Sequence, residues 1–162
     1  MSTLRDEFLE RMKQDIIRSC DKRPVYLIEG PPGAGKTTYV QEHKGSNDLV
    51  VDLDLLVSAL QGNSISHPDY SPVMDAVMAA REAIYNTIEE RQGKWSAAYI
   101  ITSNPNKNTV NKLAGRLNAK VICMSTNEEI CIERIMNDES RTDKQRDADL
   151  VREWYKNRNH NK

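Results

Sequence analysis

Eight consecutive residues of this sequence have the types and spacing needed to hold the phosphates of a nucleotide. Residues 30–37 read Gly-Pro-Pro-Gly-Ala-Gly-Lys-Thr and fit the P-loop pattern G-x-x-x-x-G-K-[ST] at every fixed position. Glycines let backbone N–H groups turn inward around phosphate oxygens, and the start of a helix adds a favourable dipole. The motif predicts that Lys36 reaches the terminal phosphates and that the Thr37 hydroxyl binds Mg²⁺. The predicted nucleotide-binding residues are Gly30, Pro32, Gly33, Ala34, Gly35, Lys36, Thr37 and Thr38.

Two carboxylates follow the next apolar run. Residues 49–52 read as a buried strand and residues 53–60 as a short helix, which places Asp52 and Asp54 at the carboxyl end of a strand. In open α/β sheets, ligands bind along that edge. Asp52 could hold Mg²⁺ or an acceptor hydroxyl there, or it could simply cap the helix that follows.

The elements that must position these groups alternate along the chain. Strand-type apolar runs, each followed by a helical pattern, cover residues 25–29, 49–52, 98–102 and 121–124. Such alternation predicts a parallel sheet with right-handed crossovers and helices on both faces. The third strand ends in Ser103 and Asn104, which would join the P-loop and the carboxylates at one edge. The expected fold is α/β: a three-layer α/β/α P-loop NTPase sandwich with a four- to five-stranded parallel sheet.

Length and composition fit one soluble domain over residues 1–162, with 38% hydrophobic and 29% charged residues. The net charge of −1 provides no global basic field, so any nucleic-acid contact would have to be local. No apolar run approaches the ~18 residues of a membrane span, which favours a cytoplasmic location and no membrane partner. Three cysteines without metal-type spacing are predicted to be buried free thiols: Cys20, Cys123 and Cys131.

An amphipathic helix is predicted within residues 1–23. Its apolar stripe consists of Leu4, Phe8, Leu9, Met12, Ile16 and Ile17. We expect this stripe to pack on one face of the sheet, because an apolar stripe is ordinarily buried. The alternative is a contact between subunits, so the chain is expected to be a monomer or a small homo-oligomer.

Three other segments carry local predictions. Residues 61–72 form a long loop, in which His67 and Tyr70 could touch an acceptor or face solvent. Residues 125–128 read Ser-Thr-Asn-Glu, a capping box for the helix that follows, and residues 158–162 are expected to fray. The aromatic side chains available to stack on a base are Tyr70, Tyr85 and Trp95.

Residues 24–157 resemble the small P-loop kinases, most closely the kinase module of phage-type polynucleotide 5′-kinases, with zeta-toxin-like kinases as relatives. The segments that carry this resemblance are the P-loop and the Val-Asp-Leu-Asp run at residues 51–54. Similar short chains in phage genomes are described as ATP-binding proteins. The resemblance implies ATP and Mg²⁺ as cofactors, and it assigns Asp54 as the general base for the acceptor hydroxyl.

The resemblance also implies a lid over residues 137–147, whose arginines clamp the transferring phosphate. It assigns Arg141 as the lid arginine and Arg134, one and a half turns earlier, as a second one. The planar guanidinium suits this role because it binds phosphate oxygens in pairs. A solvated charged linker is the alternative, since four acidic residues lie nearby: Asp138, Glu139, Asp143 and Asp147.

The chain departs from the family pattern in two places. Val57 stands where the family carries an arginine for the acceptor phosphate, and the third strand ends in Ser103-Asn104 where the family often has an aspartate. Both departures weaken the case for a nucleic-acid or 5′-phosphorylated acceptor.

The sequence therefore predicts an ATP-dependent phosphotransferase that acts on a small-molecule or nucleic-acid acceptor, most simply a nucleotide or a nucleic-acid 5′ end. The alternative is an ATP-binding or ATP-hydrolysing switch or assembly factor that works through a protein partner. A non-catalytic descendant is a third reading, which the intact Lys36-Thr37 pair argues against.

Overall fold

The structure, a computed structural model, describes residues 3–20, 23–62 and 71–159. A 3₁₀ turn at Ser71–Val73 precedes the fourth helix. In chain order the elements are α1 (Leu4–Cys20), β1 (Val25–Glu29), α2 (Lys36–His43), β2 (Leu49–Val51), α3 (Leu53–Gln61), α4 (Met74–Glu89), β3 (Ala98–Thr102), α5 (Lys107–Leu117), β4 (Lys120–Cys123), α6 (Glu128–Asn137) and α7 (Lys144–Asn159).

Four parallel strands form the sheet, in the order β2-β3-β1-β4. In the middle of β1, Leu27 lies between Ile100 of β3 and Val121 of β4. Because the chain runs from β1 to β2 on one side and later to β4 on the other, the carboxyl end of β1 is the point where the strand order reverses. Ligands bind in that crevice in open α/β sheets. The predicted α/β fold is confirmed, with four strands in the described ranges.

Alternating residues of β1 face opposite sides of the sheet, as the strand period requires. Leu27 lies in the larger core, which α4 and α5 complete with Ile88 and Leu117. Ile28 faces the other side, where Val40 of α2 covers it. These central side chains are fully buried, so the start of the P-loop rests on a closely packed strand.

α6 and α7 form a separate pair that packs against the P-loop itself. Ile135 of α6 and Val151 of α7 are fully buried together with Ala34, the fifth residue of the P-loop motif. The segment predicted as a lid, residues 137–147, is therefore flanked by two helices that pack on the P-loop. Its last four residues already belong to α7, which begins at Lys144.

The prediction for the N-terminal stripe is wrong. α1 forms, but Leu4, Phe8 and Ile16 are each more than half exposed, and Leu9 and Met12 nearly so. Around Ile28, α2 covers one face of the sheet, where the rings of Tyr26 and Tyr99 stack with their centroids 5.1 Å apart. The side chain of Ile17, the remaining member of the stripe, lies outside the described part of the structure.

Two smaller predictions also need correction. The helix after β4 is capped by Asn127, whose side chain accepts the N–H of Ile130 at 2.9 Å, so Ser125 does not open it. The residue before this cap, Thr126, contacts the P-loop instead of the helix, because its hydroxyl donates to the carbonyl oxygen of Ala34. Among the cysteines, Cys131 is a buried free thiol as expected, whereas Cys123 is exposed because β4 is an outer strand. The side chain of Cys20 lies outside what the structure describes.

Candidate phosphate-binding site

The P-loop leaves the carboxyl end of β1 at Gly30 and enters α2 at Lys36. Gly33 and Gly35 have φ values of 76° and 89°, in the left-handed region that favours glycine. A Cβ atom at Gly33 would lie 2.6 Å from the carbonyl oxygen of Cys131. Glycine is therefore required at position 33 both by the turn and by contact with α6.

Lys36 folds back over the loop and is buried. Its Nζ donates hydrogen bonds to the carbonyl oxygens of Gly30 at 2.8 Å and Pro31 at 2.7 Å. Burial lowers the pKa of Lys36 to about 8, and the nearby charge of Asp52 partly opposes that shift. An anion arriving at this loop would stabilise the charged ammonium, because it would supply the negative charge that the loop lacks.

The predicted Mg²⁺ ligands are Thr37 and Asp52. Thr37 and Thr38 lie in the first turn of α2, and both are exposed. Among the described residues, no group of three or more His, Cys, Asp or Glu side chains could hold a metal ion. A hydroxyl and one carboxylate fit Mg²⁺ held mainly by phosphate oxygens and water, which is how this ion is commonly bound beside nucleotides.

Asp52 and Asp54 follow β2, as the sequence predicts. Asp52 is the N-cap of α3, and its carboxylate accepts the N–H of Asp54 at 3.0 Å. Both side chains are half-buried, and both act to raise the pKa of Lys36. The two carboxylates therefore lie within electrostatic range of the P-loop lysine, and capping by Asp52 does not remove it from the site.

The two predicted arginines come from the segment that packs on the P-loop. Arg134, in the last turn of α6, donates from Nη1 to the carbonyl oxygen of Gly33 at 3.2 Å. Arg141, in the linker between α6 and α7, pairs with Asp138 at 3.1 Å and with Asp147 at 2.6 Å. The positive charge of Arg141 also contributes to lowering the pKa of Lys36.

A chain of hydrogen bonds that the sequence did not reveal supports the P-loop from behind. The Thr126 hydroxyl donates to the carbonyl oxygen of Ala34 at 2.9 Å, and the Tyr155 hydroxyl donates to the carbonyl oxygen of Thr126. Burial is the main cause that raises the pKa of Tyr155 to about 12, so this donor stays protonated at neutral pH. These contacts join α7 to the P-loop.

A second unpredicted support is an ion pair at the carboxyl end of β1. Glu29, 5% exposed, accepts two hydrogen bonds from Arg158 near the end of α7, one of them at 3.3 Å. The Arg158 guanidinium also lies 4.7 Å from the centre of the Trp154 ring. The prediction that the tail frays from residue 158 is wrong for Arg158, while residues 160–162 lie outside the described ranges. The sequence offered one signal for this ion pair, namely that the apolar strand β1 ends in the charged residue Glu29.

The expected aromatic contacts to an acceptor are not assembled here. Tyr85 is buried in the core that α4 and α5 complete. Trp95 is buried beneath Arg23 just before β3, at the amino ends of the strands, whereas the P-loop lies at their carboxyl ends. His67 and Tyr70 lie outside the described residues.

The end of β3 lies directly beside the P-loop. The N–H of Gly30 donates to the carbonyl oxygen of Thr102 at 3.3 Å, and the exposed Ser103 follows immediately. Asn104 forms a turn, since its side-chain oxygen accepts the N–H of Asn106 at 2.8 Å. Ser103 is therefore the polar side chain of this strand end that remains at the surface.

A four-stranded parallel sheet with this loop at its reversal point defines a P-loop kinase-like domain, and the resemblance to small P-loop kinases is confirmed. More particularly, the chain belongs to the family whose model is described as an AAA domain (AAA_33), which matches residues 25–158. No curated protein sequence matches the chain.

Two solved structures share the fold at low sequence identity. A chain of the Pnkp1/Rnl/Hen1 RNA repair complex has a TM-score of 0.61 and 14% identity, covering 86% of this chain and 47% of its own length. Shikimate kinase from Acinetobacter baumannii, in complex with shikimate, has a TM-score of 0.55 and 19% identity, covering 88% and 80% respectively. The present chain thus spans about half the length of the RNA repair chain that it matches.

None of the helices in the described ranges combines the length and apolarity that crossing a bilayer requires.

Proposed function

We propose that this protein is an ATP-dependent phosphotransferase that moves the γ-phosphate of ATP to an acceptor hydroxyl or phosphate. One observation carries the proposal: the carboxylates after β2 and Arg141 all lie close enough to the buried Lys36 of the P-loop to act on its charge. Phosphoryl transfer depends mainly on positioning and on neutralising charge, and these groups supply both.

In this proposal each group has one role. Lys36 leaves the two loop carbonyls and binds the terminal phosphates of ATP. Arg134 and Arg141 neutralise oxygens of the transferring phosphate, while Asp54 accepts the proton of the attacking hydroxyl. When bound, Mg²⁺ would neutralise phosphate charge, and Thr37 and Asp52 are the residues that would hold it.

The acceptor that we favour is a nucleotide or a nucleic-acid 5′ end. The similarity to a chain from an RNA repair complex supports this choice, although that similarity concerns the fold. A small hydroxyl compound is the competing acceptor, because the second structural neighbour is a kinase with shikimate bound. We also propose that residues 1–162 act as one domain, with residues 137–147 as the lid over the phosphates.

A specific observation favours a second candidate function. The third strand ends in the exposed Ser103 and not in a carboxylate, and an ATP-binding switch or assembly factor would not need that carboxylate. Such a protein would bind ATP and hydrolyse it slowly, and a protein partner would read its state.

The deciding experiment measures transfer of labelled γ-phosphate from Mg²⁺-ATP to 5′-hydroxyl DNA and RNA, nucleosides, nucleoside monophosphates and small hydroxy acids. Transfer to one class of acceptor, lost in Lys36→Ala and in Asp54→Asn, would support the kinase and identify its acceptor class. No transfer to any acceptor, together with tight ATP binding that needs Lys36 but not Asp54, would favour the switch.

A further inference from the structure

Arg141 is held by two carboxylates from opposite ends of its linker. Its Nε donates to Asp138 at 3.1 Å and its Nη1 donates to Asp147 at 2.6 Å, and only 12% of its side chain is exposed. Neither carboxylate bonds Nη2, and in the described part of the chain that atom has no other partner. The guanidinium is thus fixed in orientation and keeps two N–H donors for another acceptor.

Asp147 belongs to the first turn of α7, and α7 is also joined to the P-loop through Thr126 and to the end of β1 through Glu29. Tyr155 bonds to the carbonyl of Thr126, whose hydroxyl bonds to Ala34 of the loop. Arg158 pairs with the buried Glu29 at the end of β1. These contacts therefore fix the position of Asp147 relative to the P-loop backbone, which would hold the phosphates.

Arg141 belongs to the α6–α7 segment, which packs against Ala34 of the P-loop. Arg134, in the last turn of α6, donates a hydrogen bond to the carbonyl oxygen of Gly33. The charge of Arg141 contributes to lowering the pKa of Lys36. A long arginine side chain loses much rotational freedom when it binds a ligand. Fixing it in the free protein removes that cost from nucleotide binding.

We propose that Asp138 and Asp147 are positioning residues that hold Arg141 ready for the terminal phosphate of the nucleotide, with Asp147 as the principal one. This inference rests on the proposed function, because it needs a triphosphate at the P-loop. It does not need the acceptor, so the two proposals can fail separately.

The test measures dissociation constants of Mg²⁺-ATP and Mg²⁺-ADP by titration calorimetry for the wild type, Asp147→Asn, Arg141→Gln and the double variant. We expect Asp147→Asn to weaken ATP binding about tenfold and ADP binding less than about twofold, since only ATP carries the phosphate that Arg141 would bind. In the Arg141→Gln background, Asp147→Asn should add less than about a twofold change, because the carboxylate acts only through the arginine.

Two further variants separate positioning from folding. Asp149→Asn is the matched control, because Asp149 lies two residues away on α7 and pairs with the exposed Arg152 at 2.6 Å, so its loss should leave both constants unchanged. Asp147→Glu should bind ATP more tightly than Asp147→Asn, since it keeps the negative charge on a side chain that is one methylene longer.

Four results would overturn the inference. Tighter ATP binding in Asp147→Asn would mean that the carboxylates compete with the nucleotide. An equal loss for ATP and ADP, or the same loss with and without Arg141, would mean that Asp147 only maintains the fold. A wild type that binds no ATP would overturn both proposals, whereas one that binds ATP with this pattern and phosphorylates nothing would overturn only the kinase.

Discussion

The two sides of the P-loop are built differently. On the phosphate side, which comprises the P-loop with α6, the linker and α7, loop, strand and helices are joined by hydrogen bonds and ion pairs, most of them partly buried. On the acceptor side, which comprises α3 and the end of β3, Leu55 and Leu60 are about half exposed and Ser103 lies at the surface. Under the proposed function, the firmly joined half would hold ATP and the open half would receive the acceptor.

The contrast follows from what each half must recognise. A triphosphate always presents the same charges, so fixed donors can be prepared for it before binding. An acceptor is recognised by its own shape, which requires surface that the free protein leaves uncovered. The following predictions test whether the two halves differ in this way, from the largest expected effect to the smallest.

Replacing Asp54 with Asn should reduce kcat by ~10²–10⁴-fold, because the acceptor hydroxyl loses its proton acceptor. The dissociation constant of ATP should stay nearly unchanged, since Asp54 belongs to the acceptor side. Steady-state kinetics and titration calorimetry check the two parts. Asp75→Asn is the matched control, being another aspartate in the first turn of a helix. A parallel loss of ATP affinity would contradict the division between the halves.

Replacing Arg158 with Met should lower the free energy of unfolding by about 3–5 kcal/mol, because Glu29 would be left buried without its partner. Urea unfolding measures this change. Arg152→Met removes a half-exposed partner from a surface pair on the same helix and should cost less than about 1 kcal/mol. Similar costs for the two variants would show that the phosphate side is no more firmly joined than the surface.

ATP binding should take up protons in the pH range around the depressed pKa of Lys36, about 8. The nucleotide's negative charge raises that pKa, so a partly neutral lysine becomes protonated as the complex forms. Calorimetry at about pH 8.5 in buffers of different ionisation enthalpy measures the uptake, which should approach about three-quarters of a proton. Lys36→Arg keeps the charge without titrating, so uptake that persists in this variant would assign the proton to another group.

Replacing Leu55 with Ser should change the free energy of unfolding by less than about 0.5 kcal/mol, because this side chain is already half exposed. The fully buried Val57, two residues along α3, provides the contrast, and Val57→Ala should cost at least about 1 kcal/mol. If Leu55 touches the acceptor, its substitution should raise the KM for the acceptor and leave the KM for ATP unchanged. A large loss of stability at Leu55 would mean that the acceptor side is not open.

The sequence predicts those parts of the molecule that depend on residues close together in the chain. The P-loop is a contiguous motif, and the strands are contiguous apolar runs, so the fold and the position of Lys36 follow directly. Asp52 shows the same rule at a smaller scale, because N-capping depends only on residues within one turn.

The parts that the sequence did not predict join distant positions. Glu29 and Arg158 are 129 residues apart, and Thr126 and Ala34 are 92 apart, so no local pattern signals either contact. The N-terminal stripe failed for the opposite reason: its pattern is locally clear, but periodicity states only that a face is apolar and not what covers it.

The contact between Gly33 and α6 has a consequence for how this protein can change over generations. A side chain at position 33 would strike the backbone of Cys131 and not a flexible side chain that could yield. Residue 33 can therefore vary only if α6 shifts, and Arg134 on that helix would shift with it. The middle of the P-loop and the helix that carries one of its arginines must evolve together or stay as they are.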